Sequence, residues 1–287
     1  MPKGEIKIFS YKTKEKVGNL VSHVFLMIIC LIIIVPIIWA LTTSLQPSEA
    51  IFQEGFGLIP RSFRWQNYAE ILDAAPFGIY LINTVIVVTA IVILQLLVVI
   101  PAAYSFSRLE YRGRDILFYI FIAQMLLPLQ AIVVPNYDVM RFLGLINTRT
   151  AMVLPFVASG YGTFLIRQQF KQIPQSLLDS ARIDGAGHLR ILRHVMIPLS
   201  KPIITAFALI SIVVHWNDYF WPLIITETPS VRTLAIGLGM FVQQESGADW
   251  TLLMAGTMFI VLPLLVFFIF NQRIFIESLM IKSGMKE

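Results

Sequence analysis

Two stretches of this chain, residues 17–48 and 74–107, contain no Asp, Glu, Lys or Arg. A helix rises 1.5 Å per residue, so about 20 apolar residues cross the ~30 Å hydrocarbon core of a bilayer. Both stretches exceed that length. Lipid offers the backbone no hydrogen-bond partners, which leaves helices and closed barrels as the only spanning structures. The apolarity here is continuous rather than alternating, and that selects helices. Composition points the same way: the 287 residues are 57% hydrophobic and 14% charged, whereas a soluble domain carries about 25% charged residues. The expected fold is all-α and polytopic. The single cysteine, Cys30, lies inside the first run. It excludes a disulfide framework or thiolate metal cluster and reads as a buried small hydrophobe.

Six segments approach spanning length: 21–44, 80–104, 116–137, 150–170, 202–223 and 250–272. Arg167 interrupts the end of the fourth, and the fifth contains His215 and Asp218. With the N-terminus in the cytoplasm, six crossings place seventeen of the 22 Lys and Arg residues inside and five outside (Arg61, Arg64, Arg141, Arg149 and Arg232). That partition follows the positive-inside rule and predicts both termini cytoplasmic. The expected organisation is a cytoplasmic N-terminal segment 1–20, a permeation domain 21–273 and a cytoplasmic tail 274–287. The first span reads as a signal anchor, because no small-x-small site closes it before Thr42-Thr43-Ser44. The net charge of +5 is dispersed over short loops, with no exposed basic face for nucleic acid.

Local chemistry adds detail. Phe63, Arg64 and Trp65, with Asn67 and Tyr68, suit an interfacial segment at headgroup depth. Residues 226–249, with Pro229, Gly237, Gly239, Glu245 and Gly247, suit a loop that dips back toward the membrane. Pro36, Pro101, Pro128, Pro135, Pro155, Pro222 and Pro263 fall in or at the ends of spans, where each removes a helical hydrogen bond. Ser159, Gly160 and Gly162 form a small-residue patch that lets another helix approach closely.

Residues 174–200 stand apart. Pro174 suits a helix start, Asp179 and Arg182 are spaced to pair on one face, and Asp184-Gly185 is a turn signal. A second helix is expected from Ala186 to Ile197, with Arg190, Arg193 and His194 on one side and Leu189, Leu192 and Met196 on another. Pro198 and Pro202 mark the return to the bilayer. Such an amphipathic helix-turn-helix has two readings: an interfacial element on anionic lipid, or a docking element for a cytoplasmic partner.

The stretch Asp179-Ser180-Ala181-Arg182-Ile183-Asp184-Gly185-Ala186, followed by Ile197-Pro198-Leu199, resembles the "EAA" loop of permease subunits of bacterial ABC importers. Asp179 stands where Glu is usual and Ser180 where Ala is usual. His215-Trp216-Asn217-Asp218-Tyr219-Phe220-Trp221-Pro222-Leu223 looks like a fifth-span segment of sugar-uptake permeases. The resemblance covers roughly residues 20–280 and is nearest the MalG-like member of each permease pair. It implies a second permease subunit, two ATPase subunits that bind ATP and Mg, an extracytoplasmic solute-binding protein, and a bacterial or archaeal cytoplasmic membrane. It also implies ATPase coupling through Asp179, Ala181, Arg182, Asp184, Gly185, Ala186, Arg190 and Pro198. No Gly-rich loop ending in Lys-Ser or Lys-Thr occurs in this chain, so the expectation is a non-catalytic subunit without its own cofactor.

Asn83, Thr84, Gln124, Trp216, Asn217 and Asp218 are candidate lining for a translocation pathway, and Thr89 and Gln95 also suit a pore. Helix–helix hydrogen bonding explains such residues as well. Asp218 lies about 25 Å along a helix from Lys201, near the outer edge of the hydrocarbon, and His215 is spaced to pair with it. The loop 108–114 reads as a basic turn facing lipid or an ATPase. The competing class is a secondary transporter, marked by discontinuous helices and a midplane charge, neither of which the sequence displays.

Overall fold

The computed structural model describes residues 3–48, 62–244 and 249–280, and all regular structure among them is helical. In chain order the helices are α1 (Lys3–Ser44), α2 (Gln66–Ala74), α3 (Phe77–Arg108), α4 (Arg114–Ala123), α5 (Leu129–Phe142), α6 (Arg149–Val153), α7 (Gly160–Gln172), α8 (Gln175–Ile183), α9 (His188–Leu199), α10 (Lys201–Trp216), α11 (Phe220–Ile225), α12 (Leu234–Gln244) and α13 (Trp250–Met280). Pro60, Arg61, Glu245, Gly247 and the tail beyond Met280 lie outside the described residues.

Among the described residues, three helical segments are long and apolar enough to cross a membrane unbroken: Gly18–Ser44, Phe77–Arg108 and Trp250–Gln272. They correspond to the first, second and sixth expected spans, and Pro36, Pro101 and Pro263 sit inside them without ending them. The middle of the chain departs from the expectation of continuous helices. The segments Arg114–Leu126 and Gln130–Phe142 meet at 105°. Pro128 at the break disfavours a helical residue before it, and Leu127 is extended (φ −82°, ψ 121°). The fourth expected span divides into α6, a 3-10 turn Leu154–Phe156 and α7, which the Ser159 hydroxyl caps by accepting from the Gly162 N–H at 3.1 Å. The fifth stops at Trp216 and resumes in α11. Helices α9 and α10 meet at 78°. Counting each bent pair as one crossing gives up to five. Discontinuous helices, expected to mark a different transporter class, are therefore a feature of this chain.

The chain forms two compact units, residues 1–74 with 245–259, and 75–244 with 260–287. In the first, the apolar side chains over residues 20–38 of α1 point outward; Leu31 and Ile32 are more than 60% exposed. Such a surface suits lipid rather than water. Cys30 is exposed on this helix rather than buried. The end of α1 is tied to α2: the fully buried Asn67 donates to the carbonyls of Ser44 (2.9 Å) and Gln46 (2.8 Å), and the Ser44 and Tyr68 hydroxyls lie 2.8 Å apart. Phe63 and Trp65 stack on each other and stay exposed, as an interfacial pair would. Asp249 caps the start of α13, accepting from the N–H groups of Thr251 and Leu252, and also from the Ser48 hydroxyl at 2.7 Å.

In the second unit α3 is the central element, packed against α6, α7, α10 and α12. Close approach depends on glycine. A Cβ on Gly162 would lie 2.4 Å from the Phe207 ring, and one on Gly160 would lie 2.7 Å from the Gln124 amide. The small-residue patch thus admits α10 on one side and the end of α4 on the other. Buried Gln95 ties three elements: it accepts from the Ser211 hydroxyl (2.6 Å) and donates to the Phe156 carbonyl (2.8 Å). That carbonyl lies where the α6–α7 break frees it from helical bonding. Where the second unit has exposed apolar side chains, as at Ile116, Ile120 and Leu126, they again suit a lipid or protein covering.

Candidate functional site

The helix-turn-helix expected at 174–200 is present as α8, a turn and α9. Helix α8 ends because Gly185 takes φ +78°, a left-handed conformation that L side chains resist. The Gly185 N–H bonds the Arg182 carbonyl and the Ala186 N–H bonds the Ala181 carbonyl, each at 2.9 Å, a Schellman closure. Ala181 and Ala186 are small because both pack against the core. Helix α9 contains a π-turn at Leu192–Met196 before Ile197-Pro198-Leu199.

The apolar face of this motif is already covered. Leu178, Ile191, Leu192 and Met196 are buried in one cluster with Val99, Ala103 and Tyr104 of α3, Ile166 and Phe170 of α7, and Phe207 of α10. Leu189, expected on that face, is instead 78% exposed, and Ile183 is 87% exposed. The turn therefore projects two large apolar side chains. Asp179, Arg182, Asp184, Arg190, Arg193, His194 and Pro198 of the same helix pair are also exposed. Arg182 pairs with Asp179 at 3.3 Å, with both side chains about half exposed, so the pair contributes only a few tenths of a kcal/mol.

Two polar anchors fix the motif to α3. Arg108 donates through Nη2 to the carbonyls of Phe170 and Ile173 and through Nη1 to Gln175 Oε1 (3.0 Å), joining α3 to the end of α7 and the start of α8. The Tyr104 hydroxyl meets His188 Nδ1 at 3.0 Å, with the rings edge to face. Arg167, which marks the end of the fourth apolar segment, is buried: Nε donates to the Phe106 carbonyl, the guanidinium lies 3.8 Å from the Phe118 ring centroid, and Asp115 is 3.6 Å away. By pattern alone Arg108 belongs to a basic turn facing lipid or an ATPase, and none of the three has an anchoring role. A cation at the end of an apolar run, opposite the unpaired carbonyls of a helix C-terminus, was the available signal.

The candidate pathway residues separate into a buried group and a more accessible one. Asn83 is fully buried; its amide donates to the carbonyls of Ser230 and Arg232, both at 2.9 Å, and its oxygen accepts from Arg149 Nε at 2.8 Å. The Thr84 hydroxyl accepts the Leu234 N–H at 2.9 Å and so holds the start of α12. Trp216 donates to the Ile260 carbonyl at 3.2 Å. Gln124 and Asn217 are exposed and Asp218 is half-buried. Asn217 borders an apolar groove between α10 and α13, and Trp216 borders one formed with α3. The Asp218 carboxylate accepts backbone N–H groups of Phe220 and Trp221, at the start of α11. The His215 ring packs at a tilt against Phe156, with centroids 4.7 Å apart, and lies 3.4 Å from the Gln95 amide; no side-chain bond to Asp218 is present among the described residues. Among those residues, too, no group of three or more His, Cys, Asp or Glu side chains gathers to hold a metal.

Known proteins match this geometry along most of the chain. Residues 99–277 match the family described as binding-protein-dependent transport system inner membrane component. The sn-glycerol-3-phosphate transport system permease protein UgpE of Yersinia pestis bv. Antiqua (strain Antiqua) is 32% identical over 269 residues, covering 91% of this chain and 95% of that one. UgpE of Rhizobium meliloti (strain 1021) is 30% identical over 274 residues, covering 93% and 97%. Among solved structures, a chain of a bacterial ABC transporter involved in import of the acidic polysaccharide alginate superposes with a TM-score of 0.78 at 26% identity, over 91% of this chain and 97% of that one. The shared length, the helical architecture and the family match make one statement: this chain belongs to the binding-protein-dependent inner membrane components, the non-catalytic permease subunits of ABC importers.

Proposed function

We propose that the chain forms half of the translocation pathway of an importer for carbohydrates or carbohydrate-like solutes, including phosphate esters, in a bacterial or archaeal cytoplasmic membrane. In this reading it crosses six times with both termini cytoplasmic. The crossing beyond those five, fourth along the chain, is α6 with α7, interrupted at residues 154–159. The Lys and Arg partition supports that orientation. A second permease subunit completes the pathway, two ATPase subunits bind ATP and Mg, and an extracytoplasmic binding protein delivers the solute. The substrate class rests on relatives named for sn-glycerol-3-phosphate and alginate.

One observation carries the coupling role. The apolar face of α8 and α9 is buried in the chain's own core, while Ile183 and Leu189 project outward at the turn. A helix pair lying on lipid would turn its apolar face to the lipid. This one uses that face for anchorage and leaves a knob for a protein groove. Asp179, Ala181, Arg182, Asp184, Gly185, Ala186, Arg190 and Pro198 then shape or flank the docking turn. Gln124, Asn217 and Asp218 are the accessible polar candidates for the pathway, with Asn83, Thr84 and Trp216 holding its framework. Ile183→Ser with Leu189→Ser tests the docking role. The chain should insert and assemble with the second permease while ATPase co-purification falls steeply. Undiminished ATPase retention would refute the docking role.

A further inference from the structure

Helix α3 is tied at both ends to segments far away in sequence. Near its start, Asn83 holds the 230–232 backbone and Arg149, and Thr84 holds the first residue of α12. Near its end, Tyr104 holds the first residue of α9, and Arg108 holds the end of α7 and the start of α8. From Thr84 to Tyr104 the helix rises about 30 Å, the thickness of the hydrocarbon core. Pro101 falls between the two sets of ties, but Val99 and Ala103 on either side of it are fully buried, which braces the turn against bending. Val87, Val88, Ile91 and Gln95 are buried along the rest of its length.

We propose that Tyr104 and Arg108 are positioning residues that make α3 a transmission strut, carrying movement of the α8–α9 turn to the 228–234 segment and α12 at the opposite end of the helix. This rests on the docking role of the turn. The physical requirement is a stiff element with specific grips at both ends. A helix held only by apolar packing can slide or rotate against its neighbours. Arg108 prevents this, because one planar guanidinium reaches two main-chain carbonyls and a side-chain amide together. Tyr104 adds a second grip one turn earlier, beyond the Schellman turn and on the other helix of the motif. The far grip is equally directional: the Asn83 amide bonds two carbonyls of one strand of backbone while its oxygen takes Arg149.

The test uses the complete transporter in nanodiscs, with Cys30→Ser as background and a maleimide as the probe. Ser230→Cys reports the outer end, and Ile183→Cys reports engagement of the turn by protection on adding the ATPase. In the unaltered strut, nonhydrolysable ATP should change the labelling rate at position 230. Tyr104→Phe combined with Arg108→Gln should reduce that change by roughly fivefold or more while Ile183→Cys remains protected. Arg108→Lys should restore part of the response. Tyr104→Phe removes one hydroxyl and nothing else, so it alone gives a smaller loss in a folded chain. A persistent ATP response at 230 in the double variant, with protection at 183 intact, overturns the strut and leaves the docking reading standing. Absent protection at 183 in the unaltered strut overturns the docking reading and the strut together.

Discussion

Replacing Gly185 offers a test in which backbone conformation and side-chain bulk can be separated. The residue has φ +78°, and a Cβ built on it meets nothing within 4 Å inside this chain. Any penalty within the subunit is therefore conformational. An L residue in the left-handed region costs roughly 1–2 kcal/mol, Asn and Asp less because their short polar side chains bond locally, and a β-branched residue more. A difference of about 1.4 kcal/mol is a factor of ten in an equilibrium. Gly185→Ala should thus raise the open fraction of the turn about tenfold, Gly185→Val further, and Gly185→Asn only slightly. The amide of Ala186 reads this directly, because its N–H bonds the Ala181 carbonyl at 2.9 Å only while the turn is closed. Hydrogen exchange at that amide should quicken in the order Gly, Asn, Ala, Val, and coupled uptake should decline in the same order. If Asn exchanges as fast as Val, backbone sign is not what Gly185 supplies, and the argument from φ fails. If exchange follows the order but uptake falls equally for all three, contact of the added side chain with a partner governs coupling instead.

Three further outcomes follow from the packing. Gly162→Ala places a Cβ 2.4 Å from the Phe207 ring and should destabilise the chain by about 1–3 kcal/mol; Phe207→Leu in the same chain should recover part of the lost thermal midpoint, and an unchanged midpoint for Gly162→Ala alone would contradict the close approach. Asn83→Ala deprives the Ser230 and Arg232 carbonyls of their donor and Arg149 of its acceptor, which should cost about 1–3 kcal/mol and appear as faster proteolysis of the 226–233 loop. For Asp249, burial opposes the charge, but the Thr251 and Ser48 hydroxyls and the N–H groups of Leu252 and Thr251 hold its carboxyl below the usual carboxylate range. A carboxyl depressed in the folded state contributes stability above its unfolded pKa and loses it as pH falls through the folded value. Asp249→Asn should flatten that acid limb of the stability profile, and an unchanged acid limb would show the cap to be inert.

Much of this molecule is legible from short-range pattern. The apolar runs predict α1, α3 and the apolar part of α13, because the length of an uncharged helix in lipid is fixed by bilayer thickness. The turn at Asp184-Gly185 is equally local: it needs only a residue that tolerates positive φ after a helix of good formers. The broken middle of the chain is harder to read. Pro128, Pro155 and the Asn217–Tyr219 stretch carry break signals, yet Pro36, Pro101 and Pro263 carry the same signal inside helices that continue. At the α6–α7 break a distant side chain meets a freed carbonyl, Gln95 donating to Phe156, and no local pattern announces that partner.

Pattern along the chain suffices for a helical membrane protein, for two short helices about a glycine turn at 174–200, and for the family motif that this turn resembles. Each of these depends on residues within a few turns of one another. Packing in three dimensions settles which face of α8 and α9 is buried, that Leu189 is exposed, and that Asn83 and Thr84 hold a loop. The same holds for Arg108 tying α3 to the end of α7 and the start of α8. Those outcomes join Asn83 to a carbonyl 147 residues away and Arg108 to one 62 residues away. A buried donor in lipid must find some acceptor, but chain pattern states only the need. The packing of helices around α3 supplies the partner.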